Sequence, residues 1–313
     1  MQTLKDIGEL SAIERLRKYL PERSDVIQGA GDDCAVVRTD DNAHYDWLLT
    51  SDPAIEGTHF TGETSPAAIG HKAVGRVLSD IAAMGGEPVW ALIDIVAPPE
   101  IAISRLEAVY EGASRLAKKY GLALVGGDLS RGNVFELHVF ATGRVPAGSA
   151  ILRSGAKSGN LIYVTGSLGA GRTGRHLSFE PRVFEGIWLR EGSWATALID
   201  ISDGLARDLR HLTDMSKTGA ELDIDRIPIF GEALKINDTF SPIEHALYDG
   251  EDFELLFTVP REKEKAFISS WSETFDLPCT LIGRITDRPG IIECVNENGK
   301  RTRLEKKEFE HFH

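Results

Sequence analysis

Gly31-Asp32-Asp33 stands directly ahead of the apolar run Cys34-Ala35-Val36-Val37, which reads as a strand. Two carboxylates about 4 Å apart repel by ~1 kcal/mol in water and by ~4 kcal/mol at an effective dielectric near ~20. A cation is expected to offset that repulsion, and a hard divalent ion such as Mg²⁺ is the leading candidate. An ordinary Gly-Asp-Asp turn would show the same residues. The theme recurs. Thr50-Ser51-Asp52 follows the short strand Trp47-Leu48-Leu49, Gly126-Gly127-Asp128 follows Leu122-Ala123-Leu124-Val125, and Asp200-Ile201-Ser202-Asp203 follows Thr196-Ala197-Leu198-Ile199. Tyr248-Asp249-Gly250-Glu251-Asp252 precedes the strand from Glu254 to Val259. One such junction is turn chemistry; five in one chain point to a multi-metal site for an anion, with oxygen ligands that suit hard cations and not soft ones.

The elements that must carry these junctions are readable from periodicity. Ser11 to Leu20 and Ile69 to Met84 have helical apolar spacing, and Val89 to Val96 is a near-continuous apolar strand. In the second helix Lys72, Arg76 and Asp80 share one face. That face is either a solvated ladder of ion pairs, or it turns Asp80 toward metals while Lys72 or Arg76 meets phosphate. Ser104 to Glu107 is expected to form a capping box for a helix reaching Tyr120, with Gly121 after its end. Strands are expected at Leu161 to Thr165 and Val134 to Thr142, and a helix from Leu205 to about Gly219 with Ser202 as its N-cap. Two glycines at 126 and 127 would let a backbone approach phosphate closely. Arg153 to Gly159 is basic and rich in turn residues, suited to a polyphosphate or to a plain linker. His59 lies on a loop, where a histidine is more often a surface group than a site residue. The glycine-rich stretch from Gly166 to Arg172 is no Walker loop, and neither G-x-x-x-x-G-K-[ST] nor a strand-to-helix G-x-G-x-x-G occurs.

With 313 residues, two domains are expected, and Arg144 to Gly148 marks the boundary, giving 1–146 and 147–313. The formal net charge of −13 argues against a nucleic-acid backbone as partner. No 18-residue apolar stretch and no signal peptide are seen, so no membrane partner is expected. Three widely spaced cysteines, Cys34, Cys279 and Cys294, make neither a zinc pattern nor a disulfide framework, which fits the cytoplasm.

Taken in order, GDDCAV (31–36), TSD…EGTHF (50–60), KAVGRVLSDIAAMGGEP (72–88), VGGD (125–128), LRSGAKSGN (152–160), IDISDGLARDL (199–209) and GEDFELLF (250–257) closely resemble the thiamine-monophosphate kinases, within the aminoimidazole ribonucleotide synthase-like superfamily. The resemblance implies an α/β (α+β) fold of two domains. The N-terminal mixed sheet would form a barrel at a homodimer interface, and the C-terminal α/β domain would close over the site. It implies ATP as co-substrate, several Mg²⁺ ions, and direct phosphoryl transfer to thiamine monophosphate with no covalent nucleophile. Asp33, Thr50, Ser51, Asp52, Asp80, Asp128, Asp200 and Asp203 match the family's metal positions. Tyr110, Gly126, Gly127, Arg153 and Ser202 match its ATP contacts, and His59, Glu251 and Phe309 its substrate contacts. Of the first acidic pair, Asp33 is the expected ligand, and Asp32 shapes the turn or binds behind the direct ligands. Ser158, Asn160 and Phe253 depart from the family's usual residues.

Overall fold

The computed structural model describes residues 3–21, 23–40 and 42–304; Phe309 lies outside the described residues. The chain begins with α1 (Leu4–Ile7), α2 (Glu9–Arg17), β1 (Val26–Gln28), β2 (Ala35–Val37) and β3 (Tyr45–Ile55). After α3 (Pro66–Ala83) come β4 (Glu87–Ala97), α4 (Ile103–Lys119), β5 (Ala123–Gly126), β6 (Leu129–Arg131) and β7 (Glu136–Pro146). These strands form one sheet in the order β1-β2-β3-β7-β4-β5, with β6 also paired to β4. The pairs from β1 to β4 are antiparallel, while β5 and β6 run parallel to β4.

Strand alternation gives this sheet two unlike faces. Ala91, Ile93, Leu137, Val139 and Ala141 are buried in the core that α3 and α4 complete. The opposite face exposes Tyr45, Trp90, Leu92 and Phe140, with the Trp47 and Trp90 rings stacked at 5.2 Å. Ser65 caps α3 through the Ala68 amide, and Pro66 occupies the first turn. Ile69, Ala73, Val77 and Ile81 are buried along one stripe of α3. The two helices touch backbone to backbone: a Cβ on Gly70 would lie 1.9 Å from the Val109 carbonyl oxygen, and one on Gly112 1.9 Å from that of Ala67.

The second half contains β8 (Leu161–Thr165), α5 (Val183–Glu191), β9 (Ala197–Asp200), α6 (Leu205–Met215), β10 (Gly219–Asp223) and α7 (Pro242–Tyr248). It ends with β11 (Leu255–Val259), α8 (Glu264–Thr274), β12 (Cys279–Thr286), β13 (Ile292–Val295) and β14 (Arg301–Arg303). The sheet order is β14-β13-β10-β12-β8-β11-β9, antiparallel except for β10 beside β13. Every residue of β8, β9 and β11 is buried, so this sheet is covered on both faces. One face carries Ile162, Val164, Ile199 and Leu256 against Leu205, Leu209 and Leu212 of α6. The other carries Tyr163 and Phe257 against Phe267 and Trp271 of α8, and belongs to the same core that fills the first half. Helix α3 therefore sits between the halves, touching α5 and β9 as well as its own sheet.

Several local expectations change. The strand expected at Trp47–Leu49 extends from Tyr45 to Ile55, because β7 pairs with its whole length; Thr50-Ser51-Asp52 is mid-strand. Pro53 is tolerated there because β2 reaches only Trp47 to Leu49, leaving that side of β3 open. Helix α4 starts at Ile103 with Ala102 as N-cap and no capping box, since the turn closed by Ile101 N–H on the Pro98 carbonyl delivers Ala102 in extended geometry. The N-cap of α6 is Gly204, at φ 97°, and not Ser202; α6 ends at Met215 because Gly219 already belongs to β10.

Candidate active site

Asp80 on α3, Asp33 ahead of β2 and Asp200 at the end of β9 meet where the halves join, each offering an oxygen within 4.8 Å of the others. Thr50, pointing from β3 to the α3 side, donates to Asp80 Oδ2, and Ser79 Oγ donates to Asp200 Oδ2 at 2.5 Å. Burial, then the neighbouring carboxylates, hold the Asp80 carboxyl well above the ordinary range. Burial, then the charge of Asp33, pushes Asp200 up to about 7. Such a set is short of positive charge.

Part of that charge comes from within the chain. Arg153 Nη2 lies 2.7 Å from Asp33 Oδ1 and its Nε 3.2 Å from Oδ2, a bidentate pair whose carboxylate is 1% exposed. Asp32 Oδ1 accepts from the Asp33 amide at 3.1 Å, and Asp32 Oδ2 from the Arg153 amide at 3.2 Å. Burial, and then the Asp33 charge, raises Asp32 to about 7. The cation beside the opening Asp-Asp pair is thus the side chain of Arg153, itself one of the expected ATP contacts.

A second cluster lies on the first turns of α6. Asp203, Asp208 and His211 bring ligand atoms within 4.8 Å of one another, and the Asp203 amide donates to Asp208 Oδ2 at 3.0 Å. Burial, then the charges of Arg153 and Arg207, lowers His211 to about 4, so its imidazole is neutral near pH 7.

Glu251 anchors the other end of the site. Its Oε1 is 2.6 Å from Lys72 Nζ and 3.2 Å from Arg76 Nη1, and its Oε2 is 3.0 Å from His176 Nδ1. Burial alone would raise this acid, but the His176 hydrogen bond and the Lys72 charge outweigh it and hold Glu251 at about 2. Lys72 is fully buried and also donates to the His59 carbonyl at 2.6 Å. Glu251 and Phe253 sit at φ 68° and 52°, a conformation that costs of order 1 kcal/mol or more for a non-glycine residue. The surroundings hold it: Asp252 accepts from the Gly169 and Ala170 amides at 2.8 Å each, and Glu254 binds Arg175 and Arg182.

A cleft of about 920 Å³ opens beside these clusters, and Asp52, Asp80, Asp200, Ser202, Asp203, His59, Arg76, Glu251 and Phe253 are among its lining residues. Asp33 and Thr50 join it through Asp80. The remaining expected residues stand elsewhere. Ser51 is exposed on the opposite face of β3, as alternation requires, away from Thr50 and Asp52. Asp128 is exposed, accepts from Ser130 Oγ at 2.7 Å, and belongs to neither acid cluster. Gly127 admits no side chain, since a Cβ there would lie 1.9 Å from the Ile93 carbonyl oxygen. Tyr110, on α4, is 38% exposed, and its hydroxyl is raised by burial and by Asp94. Asp208, His211 and His176 were not singled out from sequence. The spacing of Asp208 and His211, three apart on a helix that starts beside Asp203, was the available signal.

Comparison with known proteins agrees with this architecture. The family model described as AIR synthase related protein, N-terminal domain, matches residues 31–145, and that for the C-terminal domain matches 180–295. The thiamine-monophosphate kinase of Rhodopirellula baltica is 37% identical over 90% of this chain and 91% of its own. That of Salmonella typhimurium is 34% identical over 97% and 98%. The solved structure of AaThiL complexed with AMPPCP and TMP has a TM-score of 0.82 at 32% identity, covering 100% of this chain and 99% of that one.

Proposed function

The chain belongs to the thiamine-monophosphate kinase family, and from that premise we propose that it transfers the γ-phosphoryl group of ATP to the phosphate of thiamine monophosphate, releasing thiamine diphosphate and ADP. The observation that carries this reading is the meeting of Asp33, Asp80 and Asp200 beside a cleft that Asp80, Asp200 and Glu251 line. AaThiL has been solved with an ATP analogue and TMP.

The donor set fits magnesium. Asp33, Asp80 and Asp200 present only oxygens, lie within 4.8 Å of one another, and have carboxyls raised by burial and mutual repulsion at Asp80 and Asp200. Asp52 and Asp203 extend the set along the cleft wall. Mg²⁺ held there would screen the phosphate oxygens and favour in-line geometry. The chain's own residues do the rest. Thr50 and Ser79 orient Asp80 and Asp200 through their hydroxyls. Glu251, ionised throughout the neutral range and already paired with Lys72 and Arg76, lines the cleft with His59, and the thiamine moiety is placed beside these two residues. No general base of high pKa is needed, because the attacking acceptor phosphate oxygen is already anionic. Gly126, Gly127, Asp128, Tyr110, Arg153 and Ser202 are assigned to the nucleotide and its metals, and Phe309 to the substrate.

The division at 146/147 makes the first half the nucleotide- and metal-binding domain and the second the cover of the site. The exposed aromatic face of the first sheet, with Tyr45, Trp90, Leu92 and Phe140, supports burial against a second copy as a barrel in a homodimer. We place the enzyme in the cytoplasm. Among the described residues no helix is long and apolar enough to cross a membrane. The test is incubation with ATP, Mg²⁺ and thiamine monophosphate, with thiamine as control acceptor. Thiamine diphosphate formed from the monophosphate alone supports the reading, and free phosphate without thiamine diphosphate overturns it.

A further inference from the structure

We propose that Arg76 is the residue that contacts the phosphoryl group in flight between donor and acceptor, an inference that rests on the kinase reading above. Lys72, Arg76 and Asp80 stand one turn apart on α3, and their surroundings separate their roles. Lys72 is fully buried and spent, with Glu251 and the His59 carbonyl each at 2.6 Å. Asp80 belongs to the acid cluster. Arg76 lies between the two groups. Its Nη2 is 2.7 Å from Asp52 Oδ1, its Nη1 is 3.2 Å from Glu251 Oε1, and its side chain is 14% exposed to the cleft. The Nε–H is buried with no hydrogen-bond partner among the described residues. Phe253 supports the guanidinium from one side at 5.9 Å, and Phe179 stacks beneath Phe253 at 4.0 Å. The other arginine on the cleft wall among the described residues, Arg172, is 57% exposed and tied to Asp238.

In the reaction an acceptor phosphate oxygen forms a bond to the γ-phosphorus while the bond to the β–γ bridging oxygen breaks, its electron pair leaving with ADP. Negative charge on the equatorial oxygens then lies between the metal-side acids and the thiamine-side acid. Arg76 is the cation at that position, braced by both ends and held where it need not reorganise during transfer. A planar guanidinium, with its hydrogens in a fixed fork, matches phosphoryl oxygens better than a point charge does.

The test compares wild type with Arg76→Met and Arg76→Lys at saturating ATP, Mg²⁺ and thiamine monophosphate. Arg76→Met should lose about 100-fold or more in kcat with KM for ATP little changed, and Arg76→Lys should lose less. Binding supplies a second readout. ADP with aluminium fluoride and the acceptor, a mimic of the phosphoryl in transfer, should bind Arg76→Met at least tenfold more weakly, while ADP alone binds equally. If Arg76 only braces Asp52 and Glu251, saturating Mg²⁺ and acceptor restore the wild-type rate, and the inference falls. Arg76→Lys keeps a cation between the two carboxylates and carries the same test should the methionine variant not fold. A wild-type protein that makes no thiamine diphosphate would overturn the kinase reading itself, a separate outcome.

Discussion

Arg153 Nη2 lies 2.7 Å from Asp33 Oδ1, so the acidic pair that precedes β2 is neutralised by a side chain 120 residues later in the chain. Asp33 is 1% exposed and Arg153 19%, which places this pair among those whose breaking leaves an uncompensated buried charge. Arg153→Met should cost about 3–5 kcal/mol in urea unfolding, and adding Asp33→Asn should recover a large part of the loss. A single-variant loss below about 1 kcal/mol would show the ion pair to be dispensable.

Stability should depend on pH through the raised carboxyls. Asp32 and Asp200, held at about 7 by burial first, keep protons that the unfolded chain releases near about pH 4. The native state binds more protons in that window, so stability falls as pH rises from about 4 to 7. With chelator present, the melting temperature should be higher at pH 5.5 than at pH 8. Mg²⁺ should raise it more at pH 8, where the carboxylates are free to bind, than at pH 5.5. An equal Mg²⁺ shift at both values would refute proton–metal competition here.

Glu251 gives the opposite sign. With a folded value of about 2 against an ordinary value near 4.3, it contributes stability above roughly pH 4.5 and loses it as pH falls toward 2. Glu251→Gln leaves Lys72 buried without its carboxylate, at a cost of about 3 kcal/mol. Burial already lowers the Lys72 ammonium, so in this variant stability should rise between pH 7 and pH 9.5 as the lysine sheds its proton. Paired urea titrations at the two pH values check the sign.

Asp128 separates activity from folding most cleanly. Its carboxylate is exposed and accepts one hydrogen bond, from Ser130, so Asp128→Asn should leave the unfolding midpoint within a few tenths of a kcal/mol. Turnover should nevertheless drop by tenfold or more if it serves the nucleotide's metal, as proposed. Unchanged turnover at saturating Mg²⁺ would remove Asp128 from the site.

Turn chemistry alone puts glycine, serine and aspartate at strand ends, so it was the repetition of the acids that was legible, and the fold brings Asp33, Asp80 and Asp200 together but leaves Asp128 apart. Strand β8 has the bounds its apolar run indicates. Thr50-Ser51-Asp52 was misplaced because polar residues usually close a strand, whereas here the ladder to β7 carries the backbone through them. The polar face of α3 was ambiguous for a different reason. Helical spacing states which residues share a face, and only the arrival of the second half decides that this face is buried against Glu251 and Asp200. Asp208 and His211 share only a three-residue helical spacing, and nothing local in the sequence shows that Asp203, ahead of the Gly204 N-cap, joins them.

Helix α3 works as a ruler. Lys72, Arg76 and Asp80 are graduations on it, about 6 Å apart, and the close approach of Gly70 to the Val109 carbonyl fixes where the scale begins. A residue inserted between Lys72 and Asp80 would swing the acid by about 100° and advance it by about 1.5 Å, parting Asp80 from Asp33 and Asp200 while Lys72 stayed on Glu251. The interval between the two binding chemistries is therefore set by a count of peptide units, which insertions and deletions change and substitutions do not.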